Sequence, residues 1–338
     1  MKSLIADYTR LLRLPGLGGL SIAPVFGAIS TLEGVIDIID LFLIFLIGAF
    51  SAIYGFVLND ITDVEVDRLS KELSNRPLVK GTISKKIAML ICLFCFIATF
   101  AVIFAFFSSS TFLYYGLICI LLAALFGSIY NVYGKRFVGS DFFVALSEAL
   151  LVLFGGYIVL QEGALSIFTW IIFILTFDQL VFMNAVSGGI KDADHDYLKG
   201  VKNIALKLGV KVDKNKNLVI PYSFRIFGFS FRALSAILVF IPLILFKAEY
   251  SIWQIILLIL VIIAVFYLSA RLLSLKKFDR TKIRKLISQQ TFLRYFLVPI
   301  MLFQFIGLEY TILLIAFPFL WYLVFTPLTG GKIFQPGI

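Results

Sequence analysis

The stretch 59–67 holds the residues whose types and spacing could do chemistry. Five of its nine side chains are carboxylates or amides, and it follows directly on an apolar run long enough to cross a membrane. If a helix continues through it, four of these side chains share one face, because positions three and four apart are neighbours on a helix. Divalent cations relieve the repulsion between clustered carboxylates, so the stretch predicts a Mg²⁺ site that in turn binds phosphates. The four are Asn59, Asp60, Asp63 and Asp67.

A charged helix end at a membrane surface is the simpler alternative for this stretch. A helix end rarely needs three aspartates and an asparagine on one face, with no basic residue before Arg68. The metal interpretation is therefore favoured.

A second acidic cluster begins where a later apolar run ends. Asp192 and Asp196 are four residues apart and share one face if this segment is helical, with His195, the only histidine, between them. Two carboxylate clusters of this kind could together hold two or more Mg²⁺ or Mn²⁺ ions between them. The pattern therefore predicts that the two clusters act as one site.

Basic and aromatic residues lie close to both acidic clusters in the sequence. Their charges could neutralise those phosphate oxygens that face away from the metal ions. Each basic residue could instead be a simple signal for membrane topology, and this alternative stays open. The candidates for binding the substrate are Arg76, Lys80, Tyr130, Lys135, Arg136 and Lys202.

The composition indicates a membrane protein with many spans. Hydrophobic residues make up 61% of the 338 residues, against about 45–50% in globular domains. The net charge of +10 could suggest nucleic acid as a partner, but the positive residues lie in loops between apolar runs. The positive-inside rule and anionic lipid headgroups account for this placement. We therefore expect the lipid bilayer as a partner and no nucleic acid.

The apolar runs predict ten transmembrane helices, with nine as the alternative. The loops alternate between long basic ones and short ones with few positive charges, which places the amino terminus and both aspartate clusters in the cytoplasm of a multi-pass cell-membrane protein. Only residues 307–309 separate the last two runs. The count is therefore ten if 310–326 forms an extra carboxy-terminal span, and nine if it does not. The runs are about 16–34, 39–58, 87–107, 112–131, 142–160, 165–186, 229–246, 252–272, 291–307 and 310–326.

At these residues the sequence resembles the UbiA superfamily of intramembrane prenyltransferases. Its first motif, NDxxDxxxD, is matched at every position in 59–67, and its second, DxxxD, by Asp192 and Asp196. The family often follows the first motif with Arg-Pro and a glycine, as Arg76-Pro77 and Gly81 do here. A tyrosine followed by a lysine after the fourth span also recurs, and Tyr130 with Lys135 fits that. The resemblance covers about residues 10–310.

The resemblance implies the fold, the reaction and the roles of the site residues. We expect an all-α, polytopic bundle of nine or ten helices around a central cavity, as one transmembrane domain over 1–338. The implied activity is Mg²⁺-dependent transfer of a prenyl group from a prenyl diphosphate to an aromatic or lipid-like acceptor, with release of diphosphate. The residues implied in catalysis are Asn59, Asp60, Asp63, Asp67, Asp192 and Asp196, all but Asn59 as metal ligands.

Two further acids, Glu148 and Asp178, lie within apolar runs, and acids at that depth are functional candidates. We predict that either contacts the acceptor, and a hydrogen-bonded structural role is the alternative. They also leave open a polytopic secondary transporter. A transporter predicts broken helices and charges near the membrane midplane in two corresponding halves, whereas most acids here lie at the ends of spans.

Overall fold

The computed structural model describes residues 2–34, 36–68, 74–134, 136–198 and 200–330, and it is almost entirely helical. The amino-terminal part begins with three short helices, and the chain turns between the first two at Arg13, whose φ of 46° is left-handed. A fourth helix of 30 residues then runs without a break through the first acidic motif. The elements are α1 (Lys2–Leu11), α2 (Leu14–Leu20), α3 (Ala23–Leu32), α4 (Ile38–Asp67) and α5 (Pro77–Lys80).

Four long apolar helices follow, and the last of them changes its winding before the second motif. A π-helical turn, Phe182–Gly188, joins the fourth of these to a one-turn helix that ends just before Asp192. Turns of this kind occur frequently at functional sites. These elements are α6 (Lys85–Phe106), α7 (Leu113–Tyr133), α8 (Asp141–Val159), α9 (Ile167–Val181) and α10 (Gly189–Lys191).

The rest of the chain contains a small cap segment and the last spans. The cap holds two short helices and a hairpin of two-residue strands, in which Lys211 pairs with Val219, a minor departure from the all-α expectation. A 3-10 turn, Pro327–Thr329, ends the described part. The elements are α11 (Ala193–Leu198), α12 (Ile204–Lys207), β1 (Lys211–Val212), β2 (Leu218–Val219), α13 (Tyr222–Phe246), α14 (Ile252–Leu273), α15 (Arg280–Arg294), α16 (Leu297–Met301) and α17 (Phe303–Phe325).

Within the described residues, nine helical segments are long and apolar enough to cross a membrane. The count of ten is therefore wrong, and the alternative of nine agrees with the structure. The run 291–307 is not a span, because it is divided among the end of α15, the short α16 and the start of α17. Its apolar side chains Leu297, Ile300 and Met301 are buried in the protein core. Residues 310–326 belong to the ninth span, which covers Phe303–Thr329.

Close helix contacts place the acidic end of α4 beside the end of α7. Asn131 donates from its side-chain nitrogen to the carbonyl of Gly55 at 3.1 Å, and its own carbonyl accepts from the Thr62 hydroxyl at 2.9 Å. These two bonds join α4 and α7, one of them a turn before the first motif and the other within it. They set Tyr130, the neighbour of Asn131, next to the aspartates.

Helix α3 is buried between α8 and α9, and glycines allow its close approach. A Cβ atom on Gly27 would lie 1.8 Å from the carbonyl oxygen of Val152, and one on Gly155 would lie 1.8 Å from that of Pro24. Small residues of this kind let helix backbones approach in membrane proteins. The packing fixes α8, and with it Glu148, in the centre of the bundle.

Candidate functional site

The first aspartate motif lies on an unbroken helix, as the spacing predicted. Helix α4 continues to Asp67, so the four polar residues share one face. Asp60 and Asp67 are only 5% and 3% exposed, whereas Asn59 and Asp63 are half-buried. Two carboxylates are therefore withdrawn from water at this end of the bundle, which is costly unless positive charges compensate them.

Two arginines supply that compensation from outside the helix. Arg13, at the turn between α1 and α2, donates to Asp60 at 2.9 Å, and its guanidinium also lies 4.8 Å from the centre of the Phe56 ring. Arg76 donates to Asp67 at 2.5 Å and to Asp60 at 3.4 Å. Burial alone would lower the pKa of Arg76, but the charges of Asp60 and Asp67 raise it above its ordinary value.

The placement of Arg76 follows from its local sequence. Arg76 is the extended residue before α5, and Pro77 starts that single turn. The turn ends at Gly81, whose φ of 78° suits glycine. Proline at the first helical position and glycine just after the last are the usual boundaries of a short helix. The Arg-Pro and glycine spacing in the sequence is therefore what aims Arg76 at α4.

The other basic candidates lie further from the aspartates or outside the described residues. Lys80 is half-exposed and lies 3.9 Å from the buried Asp7, which also pairs with Arg10 at 3.5 Å. Arg136 is exposed and lies over the ring of Tyr133 at 5.4 Å, and Lys202 is exposed. Lys135 falls outside the described residues. Substrate contacts by these four lysines and arginines stay predictions.

The second motif is helical too, but its setting differs. The backbone N–H of Asp196 donates to the carbonyl of Asp192 at 2.9 Å, so the two aspartates lie one turn apart on one face. Asn203, the N-cap of α12, donates to the Asp196 carboxylate at 2.7 Å. The Asp192 side chain is 42% exposed and pairs with Lys191 at 3.3 Å.

A third acid in this segment, Asp194, contacts α15. Asp194 accepts from Arg280, the first residue of α15, at 2.6 Å, and Arg280 also lies 3.0 Å from Nε2 of His195. Burial raises the pKa of Asp194, although the charge of His195 and backbone hydrogen bonds lower it. These contacts tie α11 to α15.

Tyr130, near the end of α7, lies near both motifs. Its phenol is within electrostatic reach of Asp63 on α4 and of Asp192, and also of Arg13 and Asp141. The structure thus brings one carboxylate from each acidic cluster near the same phenol, although the clusters are separated by more than 120 residues of sequence. An aromatic hydroxyl near both clusters can donate to an anion.

The donor set fits Mg²⁺ together with a diphosphate. Among the residues that the structure describes, no group of three or more His, Cys, Asp or Glu side chains is close enough to hold a metal ion alone. Mg²⁺ usually binds through one or two carboxylates and substrate phosphates, and seldom in an all-protein cage. Two clusters of oxygen donors, each with a carboxylate near Tyr130, suit that mode of binding.

Glu148 lines two cavities deeper in the bundle. It lies seven residues further along α8 than Asp141, about 10 Å at the helical rise. The first cavity, about 540 Å³, lies between α4, α6, α7 and α8 and is rich in aromatic rings. The second, about 710 Å³, lies between α2, α3, α8, α9, α15 and α16. One carboxylate oxygen of Glu148 is buried and makes no hydrogen bond within the described structure.

Asp178 does not line either of these cavities. It is fully buried on α9, accepts from Ser235, and pairs with Arg294 at 3.3 Å. The structure thus favours the hydrogen-bonded alternative for Asp178, because its carboxylate is bound by Ser235 and Arg294. Glu148 keeps the setting that a contact to the acceptor would need.

Comparison with known proteins identifies the class to which this fold and site belong. The UbiA prenyltransferase family model matches residues 21–297. The chain belongs to the UbiA prenyltransferase family and is a membrane prenyltransferase. This membership favours the transferase over the secondary transporter that Glu148 and Asp178 had left open.

Curated relatives share one name. The digeranylgeranylglyceryl phosphate synthase of Saccharolobus solfataricus is 28% identical over 213 residues, which are 61% of this chain and 70% of that one. The synthase of the same name from Sulfolobus acidocaldarius is 30% identical over 212 residues, 61% of this chain and 71% of that one.

Solved structures share the fold. A digeranylgeranylglyceryl phosphate synthase aligns with a TM-score of 0.64 at 23% identity, over 89% of this chain and 98% of that one. A UbiA homolog from Archaeoglobus fulgidus bound to GPP and Mg²⁺ aligns with a TM-score of 0.61 at 22% identity, over 94% and 99%. The all-α membrane bundle predicted from the sequence is thereby confirmed.

Sequence reasoning missed three residues that shape the site. Arg13 lies in a basic stretch before the first apolar run, and its partner Asp60 is 47 positions away. Asn203 shows only as a helix cap in the sequence, and Asp141 as the start of a span. The neighbourhood of Asn203 to Lys202 and to the second motif was a weak signal. Nothing local could have revealed Arg13.

Proposed function

We propose that this prenyltransferase joins the prenyl group of a prenyl diphosphate to a hydroxyl of a lipid-like glyceryl phosphate, and that it requires Mg²⁺. Relatives named digeranylgeranylglyceryl phosphate synthase support the acceptor class. Related structures bound to DMAPP or GPP with Mg²⁺ support the donor and the cofactor. Both conclusions rest on family relationship together with the site described above.

The placement of Tyr130 within reach of Asp63 and Asp192 is the observation that carries this proposal. It implies that a diphosphate bound beside Tyr130 is flanked by both acidic clusters. Mg²⁺ bound there would supply the positive charge that stabilises the departing diphosphate. The residues proposed to hold it are Asp60, Asp63, Asp67, Asp192 and Asp196, with Asn59 beside them.

Arg13 and Arg76 prepare the first cluster for this task. They fix the side chains of Asp60 and Asp67, so these carboxylates need little reorganisation when the substrate binds. A guanidinium group has five N–H donors, and the contacts described use only some of them. The others can donate to phosphate oxygens, on which negative charge grows as the carbon–oxygen bond breaks.

The aromatic cavity suits the prenyl chain and protects the allylic cation. Its wall includes Phe50, Phe96 and Phe100, and it begins one turn before the first motif at Gly55. Ring faces stabilise a nearby cation, and an apolar wall excludes the water that would consume it. Glu148, at the junction of the two cavities, can accept a hydrogen bond from the acceptor hydroxyl as it attacks.

Product analysis tests this proposal. Purified enzyme receives a labelled prenyl diphosphate and Mg²⁺ with one of three acceptors, namely a prenylglyceryl phosphate, the corresponding prenylglycerol or 4-hydroxybenzoate. We expect an ether product with the glyceryl phosphate, identified by its mass, and none in the presence of a chelator. Transfer to the aromatic acid in preference to the glyceryl phosphate would contradict the acceptor class.

A further inference from the structure

A second buried polar cluster lies away from the aspartates, between α9, α13, α14 and α15. Its centre is a pair of arginines, Arg232 on α13 and Arg294 at the end of α15, which are only 3% and 8% exposed. Buried arginines in a membrane protein are rare and usually mark functional sites. Neither arginine takes part in the steps of the transfer reaction proposed above.

Each arginine is held by one side of its guanidinium group. Arg232 donates from Nε to Ser269 and from Nη2 to Gln290, both at 2.9 Å, and its guanidinium carbon lies 3.3 Å from the centre of the Phe182 ring. Arg294 uses Nη2 for both Asp178 and Ser235, each at 3.3 Å. In both residues Nη1 is buried and makes no hydrogen bond within the described structure.

The cluster carries an excess of positive charge. Two guanidinium groups face one carboxylate, that of Asp178, and the other contacts come from neutral Ser and Gln side chains. A buried charge without a counter-ion costs several kcal/mol, so a site of this composition favours an anion. Glu148 is the other acid nearby, and it faces the adjoining cavity.

A small chamber lies beside both arginines and shares part of its wall with the larger second cavity. Its wall includes Arg232, Arg294, Gln179 and Ser187, and the same Gln179 and Arg294 also line the 710 Å³ cavity. The chamber therefore adjoins the space that reaches Glu148. The side-chain carbonyl oxygen of Gln179 is also buried without a hydrogen bond in the described structure, so it can accept from a hydroxyl of a ligand.

The chamber is within reach of the reaction centre along the π-helical turn. Ser187 lines the chamber and lies five residues before Asp192, which is less than about 10 Å at a helical rise. A headgroup bound in the chamber could thus place a neighbouring hydroxyl between Glu148 and the aspartates.

We propose that Arg232 and Arg294 bind the phosphate monoester of the acceptor lipid in this chamber. The inference rests on the proposed function and names the part of the enzyme that distinguishes a phosphorylated acceptor from a neutral one. Charge-assisted hydrogen bonds from two arginines to one phosphate give both affinity and orientation. The free Nη1 groups are the donors, and Ser187 marks the side of the chamber nearest to Asp192.

Binding without turnover provides the first test. Thermal unfolding of the purified full-length protein is followed, with no donor present, after addition of prenylglyceryl phosphate, prenylglycerol, phosphatidylglycerol or inorganic phosphate. We expect the first to raise the unfolding temperature most, and the rise to disappear in Arg232→Gln. The control is Arg225→Gln, two turns earlier on the same helix, where the arginine donates to the Ile220 carbonyl at 3.1 Å. Equal stabilisation by phosphatidylglycerol or by inorganic phosphate would overturn the assignment.

Kinetics separate a binding role from a structural one. In Arg232→Gln we expect the preference for prenylglyceryl phosphate over prenylglycerol, as a ratio of kcat/KM, to fall at least tenfold while the donor KM stays unchanged. Arg232→Lys keeps the charge and should recover part of the preference. An equal loss with both acceptors would mean that Arg232 serves only the fold, and the inference would be wrong.

A substitution at Ser187 tests the charge argument even if the arginine variants unfold. Ser187→Asp adds the missing negative charge, so it should leave the unfolding temperature unchanged or higher and raise the KM for the phosphorylated acceptor at least tenfold. Ser187→Asn, of the same size, should affect that KM far less. Equal effects of the two would contradict the inference. Binding that depends on Arg232 but yields no ether product would instead contradict the proposed function alone.

Discussion

The two aspartate motifs have different mechanical settings. The first lies on the continuous 30-residue α4, with Asp60 and Asp67 buried and bound by Arg13 and Arg76. The second begins at Asp192, directly after the one-turn α10, and ends on α11, a helix of six residues. Its Asp192 is partly exposed and pairs with its own sequence neighbour.

This difference indicates that the first motif is the fixed half of the proposed site and the second motif its adjustable half. Buried carboxylates fixed by arginines keep their geometry before the substrate arrives, which reduces reorganisation in the transition state. A short helix has fewer backbone hydrogen bonds than a long continuous one, so it can shift more easily. We therefore expect the second motif to close on the diphosphate that the first has already bound.

Loss of one carboxylate proposed to bind the metal ion, in either motif, should have the largest effect. Asp63→Asn and Asp192→Asn should each lower kcat by about 10² or more, as loss of a group that stabilises a leaving charge typically does. Asp40→Asn, at the other end of α4, is the control and should retain activity. Excess Mg²⁺ or Mn²⁺ should restore activity after chelation in the wild type. A near-normal kcat in either motif variant would contradict a role in the chemistry.

The fixed half should depend on its arginines for stability. Arg76→Gln leaves two buried carboxylates short of a partner and should lower the free energy of unfolding by about 2–3 kcal/mol. Arg68→Gln, which breaks the well-exposed pair with Glu65, should cost less than about 0.5 kcal/mol. Thermal unfolding in one detergent compares the two variants. If both variants unfold at the same temperature, Arg76 does not stabilise α4.

The adjustable half should depend more modestly on Asn203. Asn203→Ala removes the cap of α12 and the hydrogen bond to Asp196, so we expect about 1 kcal/mol of lost stability and roughly a tenfold lower kcat. Ser84→Ala removes a similar cap, at the start of α6, that touches no aspartate. It should cost similar stability and leave kcat unchanged. Equal kcat values in the two variants would show that Asn203 does not position Asp196.

The sequence contained enough information for the bundle and for the acidic face of α4. Apolar length identifies spans because a helix must cross a bilayer of nearly constant thickness, and the spacing of Asn59, Asp63 and Asp67 follows from the helical period. The helical relation of Asp192 and Asp196 followed from the same period. The single-domain boundaries and the cytoplasmic orientation stay predictions.

The parts of the fold and the site that the sequence did not predict depend on contacts between distant segments. Arg13 reaches Asp60 through a left-handed turn, and Arg294 reaches Asp178 across 116 positions of sequence, which no local pattern encodes. The run 291–307 had the composition of a span, yet its side chains fill the protein core. Hydropathy does not distinguish burial in protein from burial in lipid, so the count of ten failed there.

The central claim is that the two motifs form one site, and a double-mutant cycle tests it most directly. The kcat of Asp63→Asn, Asp192→Asn and the double variant is measured at saturating donor, with folding checked by thermal unfolding of each protein. Residues that act as one unit are not additive, so the double variant should be scarcely slower than either single variant. Losses that multiply, to about 10⁴ or more for two independent effects of about 10², would contradict the account.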